Sequence, residues 1–419
     1  MTTRSATSPL TVPGDKSIAH RALMLAALAQ GESRLRNVPA GLDVRSTRRA
    51  LAALGAAFAD DAGTLVVRGT GGALIAPEAP VDCGNSGTTM RLLAGVLATR
   101  DIVATLDGDA SLRARPMRRI AEPLGRFGAR LVLSDGTAPF TMHGNGAARG
   151  TDVAIAIPSA QVKSAVLFAA LAAHGTTSLS GMLRTRDHTE RLFRACGVGC
   201  RGDGETLAVD GPAVPRALDF TIPGDVSSAA FLLAAAAVAP GAEVAVDDVG
   251  LNPTRTAFLD VLRRFGAHVD VVLAAGDEAE PRGRIAVRGA PLHGVTIAPH
   301  EVADLIDELP LIGVIGAFAH GTTSVSGAGE LRVKESDRIE SFAAAARAIG
   351  ARVDVSPDGF AVHGPARFRD ADVVTNGDHR IAMAFAVGGR AANVRVRLDD
   401  PECAAVSFPG FFTALESLR

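Results

Sequence analysis

Along this chain, clusters of small polar residues alternate with Ala- and Leu-rich runs in a pattern that returns six times. It reads GDKSIAHRALMLAALAQGESRL from Gly14, GNSGTTMRLLAGVLATRDIVATL from Gly84 and SAQVKSAVLFAALAAHGTTSLSG from Ser159. It continues as GDVSSAAFLLAAAAVAPGAEVAV from Gly224, IDELPLIGVIGAFAHGTTSVSG from Ile306 and GDHRIAMAFAVGGRAANVRVRL from Gly377. Aligned on the second residue, the copies begin at Asp15, Asn85, Ala160, Asp225, Asp307 and Asp378, roughly 65 to 82 residues apart. Each apolar run is long enough for a helix. The glycine and short segment after it predict a turn into a strand.

A second helix follows in each copy. In five it closes near a glycine, as LAALGAAF, LGRFGARL, FRACGVGC, LRRFGAHV and ARAIGARV, where a left-handed cap turns the chain into a strand. Two short strands come next, such as GTLVVRG and TLAVDG. The unit therefore reads helix, strand, helix, strand, strand. The sixth unit stops at its second helix, FFTALESLR, and lacks its last strand. The N-terminal SPLTV could supply it, which would bring both termini into one domain. Six such units predict an α/β (α+β) fold in two pseudo-threefold halves. The expected domains are 14–223 and 1–13 plus 224–419. The chain would cross between them near Pro13 and Pro223, where it reads V-P-G-D and I-P-G-D. Two crossing strands of this kind permit hinge closure on a ligand.

The polar starts of these helices carry an anomaly. A helix N-terminus holds about +0.5 charge, which favours Asp, Ser and Asn and disfavours cations. Yet Lys16, Arg21, Arg91, Lys163, His379 and Arg380 lie at or near the starts of first helices. Arg115, Arg186, Lys334 and Arg338 lie near those of second helices. One such residue would be a solvated side chain. The same breach in several aligned repeats predicts an anion held by backbone N–H groups and cationic side chains together. The glycine loops do not name a nucleotide: GDKS at Gly14 lacks the P-loop spacing, and RGTGGA at Arg68 lacks G-x-G-x-x-G. HEVAD at His300 is not the zinc-protease H-E-x-x-H.

Proton-moving groups adjoin the basic positions. DLIDELP carries Asp304, Asp307 and Glu308, and RVKESDR carries Lys334, Glu335, Asp337 and Arg338. Asp307 shares the repeat position of Asp15 and Asp378, so helix capping is an alternative account of it. Glu335 could equally be a first-turn charge complementing the dipole.

Composition narrows the partners. The 419 residues carry a formal net charge of −2 and contain no Trp and no Tyr. That argues against nucleic acid, which needs a basic surface and stacking platforms, and against a membrane surface. Cys83, Cys196, Cys200 and Cys403 do not form a disulfide framework, and the Cys196/Cys200 pair has no second ligand pair nearby, so no metal is expected. The N-terminus has no apolar signal core, and the longest apolar stretch, AAFLLAAAAVA from Ala229, is too short to span a bilayer. A cytoplasmic monomer is expected.

The stretches PGDKSIAHRALMLAALA, GNSGTTMRLLAG, RARPM, SAQVKSA, RTRDHTE, DELPLIGVIGA, LRVKESDRI and GDHRIAMAF stand in an order that resembles the 5-enolpyruvylshikimate-3-phosphate synthase family. The resemblance implies two lobes, each of three βαβαββ units in an inside-out α/β barrel, and transfer of enolpyruvyl from phosphoenolpyruvate to the 5-hydroxyl of shikimate 3-phosphate. It implies no cofactor. By motif, Lys16, Ser17, Arg21, Ser159, Ala160, Gln161, Arg186, Asp307 and Lys334 would contact shikimate 3-phosphate. Lys16, Asn85, Gly87, Thr88, Arg115, Gln161, Arg338, His379 and Arg380 would contact phosphoenolpyruvate. Asp307, Glu335 and Lys16 would share the proton transfers. Val406 stands where some members have Lys, Leu92 where some have Pro, and Glu330 and Leu331 where some have Asn and Trp. These choices resemble the branch that includes glyphosate-tolerant enzymes, although Gly87 is retained where the best-known tolerant members carry Ala. The sister family that acts on a UDP-sugar typically has a reactive Cys in the loop that here reads DGDASLRARP, and a non-catalytic phosphate-ligand binder on this scaffold would be expected to lose Asp307 or Glu335.

Overall fold

The computed structural model describes residues 10–202, 204–276 and 279–418. The chain divides into two compact units: Gly14–Ile222, the inserted unit, and Met1–Pro13 with Pro223–Arg419, the discontinuous unit.

Three four-stranded sheets make up the inserted unit. The first runs Asp219–Thr221, Glu32–Arg36, Thr64–Arg68, Ala57–Asp61 in spatial order. The second runs Val81–Asp82, Val103–Asp107, Thr137–His143, Arg130–Ser134, and the third Asp152–Ile155, Gly175–Gly181, Leu207–Gly211, Cys200–Gly202. In each, the first two strands are parallel and the others antiparallel. Parallel neighbours cannot be joined by a tight turn. In the second and third sheets they are joined by a crossover through the apolar helix of the repeat. Strand burial alternates as a half-buried sheet requires: Glu32–Arg36 buries Ser33 and Leu35 and exposes the residues between.

The discontinuous unit repeats the plan in Thr296–Ile297, Gly321–Val325, Gly359–Gly364, Arg352–Ser356. A three-stranded sheet comprises Glu243–Gly250, Arg282–Arg288, His268–Leu273, and a parallel pair joins Ala371–Val373 to Val396–Leu398. The repeat thus opens one strand earlier than the polar clusters suggest, which changes the place of the N-terminal segment. Leu10 bridges Val246 in parallel, and its carbonyl accepts from Asp247 N at 2.9 Å. It therefore joins the sheet of Glu243–Gly250, where it holds the opening-strand position, and does not complete the sixth repeat; Ser8 and Pro9 lie outside the described residues. In the first sheet the same position is taken by Asp219–Thr221, from the far end of the inserted unit.

The first helices of the repeats are apolar on all sides, the pattern of a helix enclosed by other elements. Lys16–Leu28 is buried from Ile18 onward, and Val226–Ala237 and Leu309–Phe318 are nearly as enclosed. Backbones touch at Gly95: a Cβ there would lie 2.1 Å from the Ala165 carbonyl oxygen, so helix Gly87–Ala98 meets helix Ala160–Ala170 with no side chain between. Gly95→Ala is expected to cost about 1–3 kcal/mol by overpacking, read as a lower melting temperature; an unchanged melt would mean that the two helices part easily. The glycines that close the second helices, Gly55, Gly128, Gly197, Gly266 and Gly350, all have φ between 76° and 111°, as the capping role requires. Among the described residues no helix is long and apolar enough to cross a membrane.

Candidate active site

In the inserted unit, Asp15 caps Lys16–Leu28 by accepting from Ser17 N and Ile18 N at 2.7 and 3.1 Å. Lys16 is the first helical residue, and its Nζ lies 3.3 Å from the Asp43 carboxylate. One turn on, buried Arg21 donates to the Ser17 carbonyl and the Ser164 hydroxyl, both at 2.8 Å, and to the Thr189 hydroxyl at 2.7 Å. Arg186 reaches the Ser17 hydroxyl at 3.4 Å. The structure thus gathers Lys16, Ser17, Arg21 and Arg186 at one helix start, with Arg21 bracing the turn that carries Ser17.

A second group forms around Gly87. Ser86, and not Asn85, caps Gly87–Ala98 through its contact with Thr89 N. Asn85 instead donates to Asp109 at 2.8 Å and accepts from Arg115 Nη2 at 2.7 Å. Gln161 donates to the Thr88 hydroxyl at 2.9 Å and accepts from Arg91 Nη1, two contacts that fix its amide orientation. Arg91 also donates to the Pro116 carbonyl at 3.0 Å. A Cβ on Gly87 would sit 3.1 Å from Arg91 Nη1 and 3.6 Å from Arg115 Nη1, so two guanidinium groups flank this helix start. Backbone N–H groups beside guanidinium groups suit a carboxylate or phosphate. Ser159 caps Ala160–Ala170, with Ala160 and Gln161 in its first turn.

Lys163 does not belong to this anion-facing set. Its ammonium, with the side chain 2% exposed, pairs with Glu190 at 2.7 Å and donates to the Leu183 and Thr185 carbonyls at 3.1 and 3.2 Å. It sits a turn inside the helix, where it ties that helix to the segment after Gly175–Gly181. Sequence position suggested a helix-start cation; the buried partner Glu190 makes it an internal brace.

The discontinuous unit gathers the acid–base candidates. Helix Leu309–Phe318 begins two residues after Asp307, with Pro310 in its first turn and Glu308 at the N-cap position. Capping therefore does not account for Asp307. Its carboxylate lies 3.7 Å from Arg338 Nη1 and 3.5 Å from Arg380 Nη2, and its carbonyl accepts from Arg380 Nη1 at 2.8 Å. Asp378 does cap His379–Ala392, through Arg380 N, and also takes Arg338 Nε at 2.8 Å. Glu335 accepts from Arg338 Nη2 at 2.6 Å. Arg338 thus stands among three carboxylates with its side chain 1% exposed. Burial alone would lower its pKa; the charges of Asp378 and Glu335 more than offset this and hold it protonated. Burial pulls the Lys334 ammonium below its usual range, against Asp307 and Glu330. His379 is buried at the first position of its helix.

Beside Glu308 and Asp225 stand two residues that sequence reading passed over, Ser227 and Arg255. The Ser227 hydroxyl donates to the buried Glu308 carboxylate, accepts from Arg255 Nη2 at 2.6 Å, and stands beside the cap residue Asp225. Burial pushes the Glu308 carboxyl up, partly opposed by Arg380. Asp43, the partner of Lys16, was missed in the same way. The available signal was the small polar residue at each repeat start, which does not say which distant side chain it meets. Among the described residues no cluster of His, Cys, Asp and Glu could hold a metal ion.

Residues 2–415 match the EPSP synthase (3-phosphoshikimate 1-carboxyvinyltransferase) family. This chain belongs to that family. The 3-phosphoshikimate 1-carboxyvinyltransferase of Akkermansia muciniphila is 46% identical over 414 residues, covering 96% of this chain and 95% of that protein. Its counterpart in Xanthomonas campestris pv. campestris is 47% identical over 405 residues, covering 96% and 92%. The structure of EPSP synthase from Acinetobacter baumannii superposes with a TM-score of 0.85 at 35% identity, covering 98% of this chain and 95% of that one. The enolpyruvyl transferase NikO from Streptomyces tendae, 20% identical, shares the fold with a TM-score of 0.78 over 98% and 94% of the two chains. The α/β fold expected from the repeats is therefore that of the EPSP synthases.

Proposed function

We propose a division of labour among these residues for the reaction of the family, that of a 3-phosphoshikimate 1-carboxyvinyltransferase of the shikimate pathway. The observation that carries the proposal is the convergence of Asp307 and Glu335 on one buried guanidinium, that of Arg338. Two carboxylates beside cations can move protons to and from a substrate held as an anion.

In this reading, Ser17, Arg21, Ser159, Ala160, Gln161 and Arg186 hold the phosphate and ring of shikimate 3-phosphate, and Asp307 and Lys334 approach its hydroxyls. Asn85, Gly87, Thr88, Gln161 and Arg115, with Arg338, His379 and Arg380, take the carboxylate and phosphate of phosphoenolpyruvate. Lys16 serves both substrates. Asp307 removes the proton of the attacking 5-hydroxyl as its oxygen bonds to the substituted carbon of phosphoenolpyruvate, and Glu335 protonates the methylene carbon. Loss of a methyl proton and of phosphate from the tetrahedral adduct then leaves the enolpyruvyl ether. The cations stabilise charge where it develops. Glu335 is tied to Arg338 at 2.6 Å. An anion that takes Arg338 releases this carboxylate and raises its proton affinity, which suits it to act as an acid.

The test is phosphate release from phosphoenolpyruvate with and without shikimate 3-phosphate. Release that requires the shikimate ester is expected. Release with UDP-N-acetylglucosamine in its place, and none with the ester, would overturn the acceptor assignment.

A further inference from the structure

His20 is 1% exposed and precedes Arg21 on helix Lys16–Leu28. Its Nδ1 lies 2.6 Å from the Thr47 hydroxyl on helix Leu42–Ala53. Thr47 Oγ1 is 2.6 Å from Thr89 Oγ1, on helix Gly87–Ala98. The Thr89 hydroxyl donates to Ser86 Oγ at 2.7 Å, and Ser86 is the cap of that helix. All four residues are buried, so a short polar line crosses three helices with no water-exposed link.

Proton counting gives this line one direction. A hydroxyl carries a single proton. Because Thr89 gives its own to Ser86, its oxygen receives that of Thr47, and the Thr47 oxygen receives one from the imidazole. His20 must then be the Nδ1–H tautomer. The ring is neutral: burial, with Lys16 and Arg21 nearby, pulls its pKa to about 3.

The Ser86 end of the line meets the proposed phosphoenolpyruvate contacts. Ser86 stands between Asn85 and Gly87, and so sets where the first turn carrying Gly87 and Thr88 begins. We propose that His20, Thr47, Thr89 and Ser86 form a positioning relay that fixes the helix start at Gly87, and so sets the affinity for phosphoenolpyruvate. The relay acts through Asn85 and Thr88 and touches no reacting atom. It rests on the assignment of Asn85 and Arg115 to phosphoenolpyruvate.

Thr47→Val keeps the shape of the side chain and removes the link. It is expected to raise the KM for phosphoenolpyruvate about tenfold, a change equivalent to ~1.4 kcal/mol, with the KM for shikimate 3-phosphate and kcat little altered. Thr47→Ser, which keeps the hydroxyl, is expected to match the unsubstituted enzyme. Ring nitrogen-15 shifts of the unsubstituted enzyme are expected to report His20 protonated at Nδ1. An Nε2–H ring, an equal rise in both KM values, or Thr47→Ser as poor as Thr47→Val would each overturn the relay. Arg115→Met separates the two assignments. If it leaves the KM for phosphoenolpyruvate unchanged, the underlying site assignment fails; if it raises that KM and Thr47→Val does not, the relay alone fails.

Discussion

Glu335→Gln is expected to lower kcat by about two to four orders of magnitude, the usual contribution of a positioned acid or base, with little change in either KM. The amide keeps the size of the side chain and can still accept from Arg338, whose Nη2 now lies 2.6 Å from Glu335, so the local packing survives. What is lost is the transferable proton, together with one of the three negative charges around Arg338. Steady-state kinetics with each substrate varied in turn will separate the two effects. A kcat within a few-fold of the unsubstituted enzyme would remove Glu335 from the acid role, and Asp307 would become the residue to examine. A large rise in the KM for phosphoenolpyruvate alone would make Glu335 a holder of Arg338 instead.

Arg338→Met is expected to damage folding as well as turnover. Its guanidinium makes ion pairs with Asp378, Glu335 and Asp307 at 2.8, 2.6 and 3.7 Å. Removing one member of a buried ionic cluster strands the others, at a cost of about 3–5 kcal/mol. Asp378 shows the consequence for pH. Burial opposes its ionisation, but Arg338 holds its pKa below the ordinary carboxylate range. A depressed folded pKa contributes stability above the unfolded value, near 3.9, that is lost as pH falls through the folded one. In Arg338→Met that lowering disappears, so the stability Asp378 contributes above the unfolded value is already missing at pH 7, and the gap to the unsubstituted protein should narrow as pH falls towards 3. Melting temperature followed from pH 7 to pH 3 measures both effects. A variant that melts like the unsubstituted protein at every pH would show that the carboxylates have another counter-charge. Arg338→Lys should recover only part of the loss, because an ammonium cannot reproduce the forked contact with Asp378.

Helices and strands differed in how far they could be read in advance. The apolar runs and closing glycines were legible because they are local: a helix apolar on all sides must be enclosed, and a chain that turns into a strand at a left-handed residue selects Gly. The opening strands were not, because a strand of two to four residues such as Val81–Asp82 carries too little pattern to stand out beside a long helix. That is why the N-terminal segment was matched to the wrong sheet. At the site, cations at helix starts pointed to Lys16, Arg338 and Arg380, but helical position could not distinguish them from Lys163. What separates Lys163 is Glu190, 27 residues away and buried against it. Asp307 shows the reverse case. Aligned with three capping aspartates, it is freed from that task because its helix begins at Leu309, which puts Glu308 at the N-cap position.

The placement of Leu10 beside Val246 has a consequence for the order in which the chain is made. Synthesis runs from the N-terminus, so the inserted unit has all its strands once Thr221 has left the ribosome. Leu10, made before that unit, must wait for Val246, more than two hundred residues later. Leu10 is thus bound into the unit finished last, and an entire three-sheet body is synthesised while it waits.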